Sequence, residues 1–300
     1  MANVAEGRWA LIVHGGAKPD DPAEHQANRD GVLQALAAGR AVLEAGGEAV
    51  DAVVAAIRTM ETLPLFNAGR GSAPNDEGGI EMCSGLMDGR NLAVGAVGAI
   101  RCVAHPVEVA RSLLAEKEVL LVADGALRFA KEKGHATVSE DYLKPEEEAR
   151  SRAEAVHDTV GAVALDSGGN IAAGTSTGGL DGQKVGRIGD SPMPGSGYYA
   201  DNHVGGIAFS GDGETIARLA LASRVIGSFE HGEEPDSAIA RAVAMLPGAG
   251  GAEADGGGIA ILKDGRLGWA HNSPIFAVAY ISSDMNAPKA FLRKDEERSG

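Results

Sequence analysis

Residues 159–177 read TVGAVALDSGGNIAAGTST, and how that stretch folds decides the reading of the whole chain. Thr159 to Leu165 is a run of small and β-branched apolar residues, the composition of a buried strand. Ser167-Gly168-Gly169-Asn170 is turn material, and Ile171 to Thr175 returns as a second strand, so the stretch predicts a β-hairpin. Downstream, strands are expected at 204–210, 257–262, 266–270 and 276–281, with helices over about 214–227 and 235–246 among them. Upstream, WALIV at 9–13 predicts a buried strand that runs into a turn at His14-Gly15-Gly16. Helices over about 24–45 and 49–62 follow. Strands are expected at 79–83, 91–100 and 119–123, with helices from Pro106 and over 125–133. Strands in antiparallel clusters and helices in pairs predict an α+β chain forming a single domain over 1–300. Its sheets would pack face to face with helices outside, a four-layer αββα sandwich rather than a βαβ alternation. One interval stands apart. Residues 131–158, KEKGHATVSEDYLKPEEEARSRAEAVHD, are dense in charge and almost lack large apolar side chains, which predicts a solvated linker.

Composition narrows the function. Glycine supplies 43 of 300 residues, about twice its usual share, yet without the three-residue period of collagen. Tight turns between short strands account for it. Twenty-seven Lys and Arg against 42 Asp and Glu leave a net charge of −15, which opposes binding to nucleic acid or anionic membranes. No apolar run approaches the ~20 residues of a membrane span. The opening MANVAEGRWALIVHGG carries an acidic Glu6 and a short apolar run, unlike a secretion signal. Two cysteines, Cys83 and Cys102, are too few for a disulfide framework. A soluble cytoplasmic protein is expected.

The common site motifs fail in turn. The eight histidines are scattered, with no zinc-ligand spacing. Ser210-Gly211-Asp212-Gly213-Glu214 lies between a strand and a helix but lacks the third glycine of a dinucleotide loop and the Gly-Lys-Ser/Thr of a P-loop. Its backbone N–H groups suit an anion or oxyanion instead. Gly195-Ser196-Gly197 has the wrong spacing for a serine nucleophile elbow. A threonine constellation is left. Thr159 opens a strand directly after the charged interval, Thr175-Ser176-Thr177-Gly178-Gly179 closes its partner, and Arg187 stands three residues from Asp190 in a glycine-rich loop. A Thr at a strand start is ordinarily a β-former, and an Arg/Asp pair ordinarily a surface ion pair. Together they describe a pocket for both charged ends of an α-amino acid.

HDTVGAVALDSGGNIAAGTSTGG, followed by GRIGDSPMPGSGYYADN and SGDGE, resembles the plant-type L-asparaginase/isoaspartyl peptidase family of N-terminal nucleophile hydrolases. IVHGGA, PLFNAGRGS and MDGRNLAVGAVGAI agree in the first half. The resemblance implies an αββα sandwich and a precursor that cuts itself between Asp158 and Thr159, giving an α chain of 1–158 and a β chain of 159–300. It makes Thr159 the nucleophile, with its freed α-amine as base, since a threonine hydroxyl needs one and that amine titrates near neutrality. By the same resemblance Thr177 orients the nucleophile, and Asn67 lies near it. Arg187 grips the substrate α-carboxylate, Asp190 holds the ammonium with Gly213, and Ser210 and Gly211 stabilise the oxyanion. Main-chain carbonyls of Met60, Glu61, Leu63, Phe66, Ala68 and Arg70 would wrap a structural sodium ion; no catalytic cofactor is implied. The implied activity is release of L-aspartate from L-asparagine and β-aspartyl dipeptides, by a homodimer of αβ units. The chain departs from the family pattern in three places. Ser210 replaces a usual Thr. Asp158 replaces a usual Gly, and His157-Asp158 resembles the glycosylasparaginase branch, so an amidohydrolase of that type is the alternative. The interval before Thr159 is shorter than in many relatives. A non-catalytic amino-acid-binding protein on the same scaffold is the rival of another class.

Overall fold

The computed structural model describes residues 7–144 and 158–299. In chain order these form β1 (Ala10–Lys18), α1 (His25–Glu44), α2 (Ala49–Thr62), β2 (Met82–Asp88), β3 (Ala93–Ile100), α3 (Pro106–Leu113), β4 (Leu120–Val122), α4 (Ala123–Glu132) and α5 (Glu140–Leu143). After the interval come β5 (Val160–Leu165), β6 (Ile171–Thr177), β7 (Tyr198–Asp201), β8 (Gly205–Gly211), α6 (Gly213–Leu219) and α7 (Leu221–Glu230). Then follow α8 (Pro235–Val243), α9 (Leu246–Gly250), β9 (Gly256–Leu262), β10 (Leu267–His271), β11 (Ile275–Ser282), β12 (Lys289–Phe291) and α10 (Lys294–Ser299). Eight strands form one sheet in the order β12-β11-β1-β5-β6-β2-β3-β4, and four form a second in the order β10-β9-β8-β7. Every pairing is antiparallel except β3 with β4.

Side-chain alternation sorts the strands into layers. On β1, Leu11 and Val13 pack under α1 and α2, whereas Ala10 and Ile12 face the second sheet. On β11, Ile275, Ala277 and Ala279 take the helix side, and Phe276, Val278 and Tyr280 the sheet side. In the smaller sheet Ile259 and Ile261 point inward, whereas Ile207, Phe209 and Ala260 pack against α7 and α8. Both sheets are thus buried on both faces, which is the expected four-layer αββα sandwich. No helix among the described residues is long and apolar enough to cross a membrane.

Three sequence expectations need correction. The expected turn at His14-Gly15-Gly16 is strand: β1 runs on to Lys18 through a bulge between His14 and Ala17 in its pairing with β11. Gly16 supplies the positive φ there, +101°, that an extra residue in one strand requires. The helix expected over 214–227 is broken at Ala220, which takes φ 48° between α6 and α7. The charged interval is docked as far as residue 144: Val103 bridges Thr137, and Leu143 of α5 is fully buried. Its remainder, 145–157, including His157, lies outside the described residues.

Candidate active site

Strand direction gathers the site. β1 and β6 both pair antiparallel with β5, so the end of β1, the end of β6 and the start of β5 lie together. Thr159 is the residue before β5, Thr177 the last of β6, and Gly211 the last of β8. Asp158, Thr159, Thr177, Arg187, Asp190, Ser191, Gly211 and Gly213 line one small pocket. Ser210 sits fully buried behind it.

The Thr159 N–H donates to Ser210 Oγ at 3.1 Å, and the Ala17 N–H donates to the same oxygen at 3.1 Å. A hydroxyl oxygen has two lone pairs, and Ser210 uses them to accept both N–H groups. Thr159 Oγ1 lies 3.1 Å from Ser191 Oγ. Ser191 is held in turn by Thr175, whose hydroxyl donates to the Ser191 carbonyl at 2.6 Å. Thr177 Oγ1 accepts from the Gly179 N–H at 3.0 Å. Ser191 therefore stands beside the Thr159 hydroxyl, a place the sequence reading did not assign to it, and Thr177 lines the same pocket. The signal for Ser191 is the run Asp190-Ser191-Pro192, which carries no hint of what the serine touches.

Asn67 clamps two loop segments together beside the site. Its Nδ2 donates to the Gly179 carbonyl at 2.6 Å, its Oδ1 accepts the Ala73 N–H at 2.8 Å, and its own carbonyl accepts the Gly178 N–H at 2.7 Å. The loop 67–73 is so tied to the segment after β6. Behind that segment, buried Glu61 accepts from Ser176 Oγ at 2.6 Å and from the Val107 N–H at 3.0 Å. Burial pushes its carboxyl above the usual range, with His105 pulling the other way.

Arg187 is gripped on one edge. Its Nε and Nη2 donate to the two carboxylate oxygens of Glu214 at 2.8 and 2.7 Å. Among the described residues Nη1 has only a long contact of 3.5 Å with Gln183, and Arg187 lines the pocket. Asp190 is buried, with Oδ2 lacking a hydrogen-bond partner among the described residues. Burial pushes its carboxyl up to about 7, Arg187 pulling back. Gly213 makes this approach possible, because a Cβ there would stand 2.7 Å from Asp190 Oδ1 and 3.1 Å from Arg187 Nη2. His14, fully buried and stacked on Phe276, is pushed down to about 3 by its burial and stays neutral.

Lys18 belongs to none of the motifs read from the sequence. Its ammonium meets Asp158 Oδ2 at 2.9 Å, with both side chains buried. A turn at His14-Gly15-Gly16 would end β1 short of Lys18, whereas the bulge carries the strand on to it.

In the 60–70 loop the carbonyls of Met60, Glu61, Leu63 and Phe66 accept N–H groups from Leu63, Arg70, Phe66 and Ala68. Each keeps a second lone pair, and neutral main-chain oxygens are donors that suit a hard cation. The described residues contain no cluster of three His, Cys, Asp or Glu side chains placed to hold a metal ion.

The asparaginase family profile matches residues 7–151 and 143–289. An isoaspartyl peptidase/L-asparaginase of Danio rerio is 40% identical over 274 residues, 87% of either chain. One of Homo sapiens is 37% identical over 243 residues, 76% of this chain and 79% of its own. A probable isoaspartyl peptidase/L-asparaginase of Drosophila pseudoobscura pseudoobscura is 38% identical over 310 residues, 92% of this chain and 94% of its own. Since the matches run through both halves and across the threonine site, the chain belongs to the asparaginase family.

Proposed function

We propose that the chain cuts itself between Asp158 and Thr159, and that the α chain 1–158 and β chain 159–300 then act as one hydrolase. It cleaves the side-chain amide of L-asparagine and of β-aspartyl dipeptides and releases L-aspartate. The observation that carries this is Thr159 in one pocket with Arg187 and Asp190. The names borne by the relatives agree with it.

Scission turns the Thr159 N–H, now donating to Ser210 Oγ, into an amine that can take the hydroxyl proton. Thr159 Oγ1 attacks the substrate's side-chain carbonyl, ammonia or the peptide amine leaves, and water hydrolyses the β-aspartyl ester. The Ser210 hydroxyl and the Gly211 N–H supply the oxyanion hole. Ser191 orients the hydroxyl before scission, and Thr177 does so afterwards. The outer edge of Arg187 takes the α-carboxylate while Glu214 holds the inner one, and Asp190 takes the ammonium. A sodium ion on the Met60–Arg70 carbonyls would stiffen the loop that Asn67 ties to the site. In solution the αβ units pair as a cytoplasmic homodimer.

Mass spectrometry and aspartate release test the reading together. Wild type should yield two fragments starting at Met1 and Thr159, and Thr159→Ala should stay at 30.5 kDa and release none. Arg187→Ala, once split, should lose at least about 2 kcal/mol of kcat/KM on β-aspartyl-leucine. An unsplit wild type that still hydrolyses, or an Arg187→Ala enzyme with unchanged kcat/KM, would contradict it.

A further inference from the structure

Lys18 ends β1 next to the bond that the foregoing reading breaks. Its ammonium donates to Asp158 Oδ2 at 2.9 Å and to the Leu65 carbonyl at 3.2 Å, and lies 4.9 Å from the centre of the Phe66 ring. The side chain is thus fixed from three directions. Asp158 provides the carbonyl of the bond to Thr159. Its second oxygen, Oδ1, is buried with no hydrogen-bond partner among the described residues. That oxygen rests on Gly16, where a Cβ would come within 1.7 Å of it. Burial pushes the Asp158 carboxyl above its usual range, Lys18 and the Asn67 backbone pull it back, and Glu24 opposes them; among the described residues Arg187 and Asp190 stand across the pocket. A buried ion pair of this kind adds little stability over apolar packing, and an orphaned carboxylate oxygen subtracts some. Stability alone does not explain it.

We propose that Lys18 is a positioning residue for chain scission: by binding Asp158 through Oδ2 it keeps that side chain a fixed carboxylate and leaves Oδ1 to accept the Thr159 hydroxyl proton. The step rests on Thr159 being the nucleophile. The Thr159 Oγ1 to Asp158 carbonyl-carbon bond forms as the Oγ1 proton passes to Asp158 Oδ1. The carbon–nitrogen bond then breaks, and the nitrogen receives that proton to become the amine of Thr159. Water hydrolyses the resulting ester, restoring the hydroxyl and leaving Asp158 with a terminal carboxylate. Lys18 touches none of the breaking bonds and acts through Asp158.

The test is the lifetime of the full chain, made in a short cell-free synthesis pulse and followed by intact mass. Lys18→Met keeps the stem over Phe66 and loses the charge; it should slow scission at least tenfold, a part of the roughly 10²–10⁴ that a general base contributes. Lys18→Arg keeps the charge and should split within about threefold of wild type. Lys18→Met splitting at the wild-type rate overturns the proposal, as does Lys18→Arg being as slow as Lys18→Met. Circular dichroism before scission checks the fold of each variant. Should Lys18→Met not fold, Asp158→Asn asks the same question from the other side of the pair, and scission at the wild-type rate there overturns the proposal. A wild-type chain that never splits would instead sink the reading of Thr159, and so tells the two failures apart.

Discussion

Asp190 carries two demands that oppose each other. Binding an ammonium needs a carboxylate, yet burial raises this one to about 7, so the folded protein prefers it protonated. An Asp raised in the folded state stabilises most below its unfolded value near 4 and loses that contribution as pH rises through about 7. Two outcomes follow from that sign. KM for asparagine should climb as pH falls below about 7, with kcat less affected. Asp190→Asn should raise the melting temperature at pH 8, where wild type holds a buried charge, while KM rises steeply; a lower melting temperature would refute the account. At this scale the sequence was legible where chemistry is carried by residue type in a tight run. Thr159, Thr177, Arg187 and Asp190 stand in such runs, and the fold brings them to one pocket. Lys18 and Ser191 were not legible, because their partners, Asp158 and Thr159, are set by a strand bulge and a loop path rather than by spacing.

Elements were read most easily where one pattern ran without interruption. The hairpin of β5 and β6, and α2 over Ala49–Thr62, lie where the apolar runs about a turn and the helical spacing put them. β7 was missed, since its four residues follow Gly195-Ser196-Gly197 and offer too short a run to show a period. The break at Ala220 is invisible to periodicity, because only the backbone, in a left-handed conformation that costs about 1 kcal/mol for an L-residue, marks it. β7 matters for how closely the sheets approach. Tyr198 is fully buried and its ring lies over Gly85 of β2, where a Cβ would come within 2.2 Å. Gly85→Ala should therefore overpack the interface and cost about 1–3 kcal/mol in denaturant unfolding. Tyr198→Phe in the same background should give no relief, since the clash involves ring carbons as well as the hydroxyl. An unchanged unfolding midpoint for Gly85→Ala would show that the sheets have slack there.

The larger sheet has the order β12-β11-β1-β5-β6-β2-β3-β4, so strands from before residue 158 and strands from after it alternate in blocks. β1 is flanked by β11 and β5, and β2 pairs with β6. Two fragments cut at 158–159 would share one ladder and one core, and should elute together until denaturant parts them. Their history then becomes irreversible. An intact chain closes this sheet as a first-order event, whereas the cut protein, once unfolded, must find its other half by collision. Recovery of the cut wild type from guanidinium should therefore fall on dilution, whereas recovery of Thr159→Ala should not depend on concentration. Equal recovery at every dilution would show that one fragment folds without the other. The scission that frees the Thr159 amine would thereby act as a ratchet: each molecule folds once as a single chain, and afterwards its lifetime is governed by how slowly it opens.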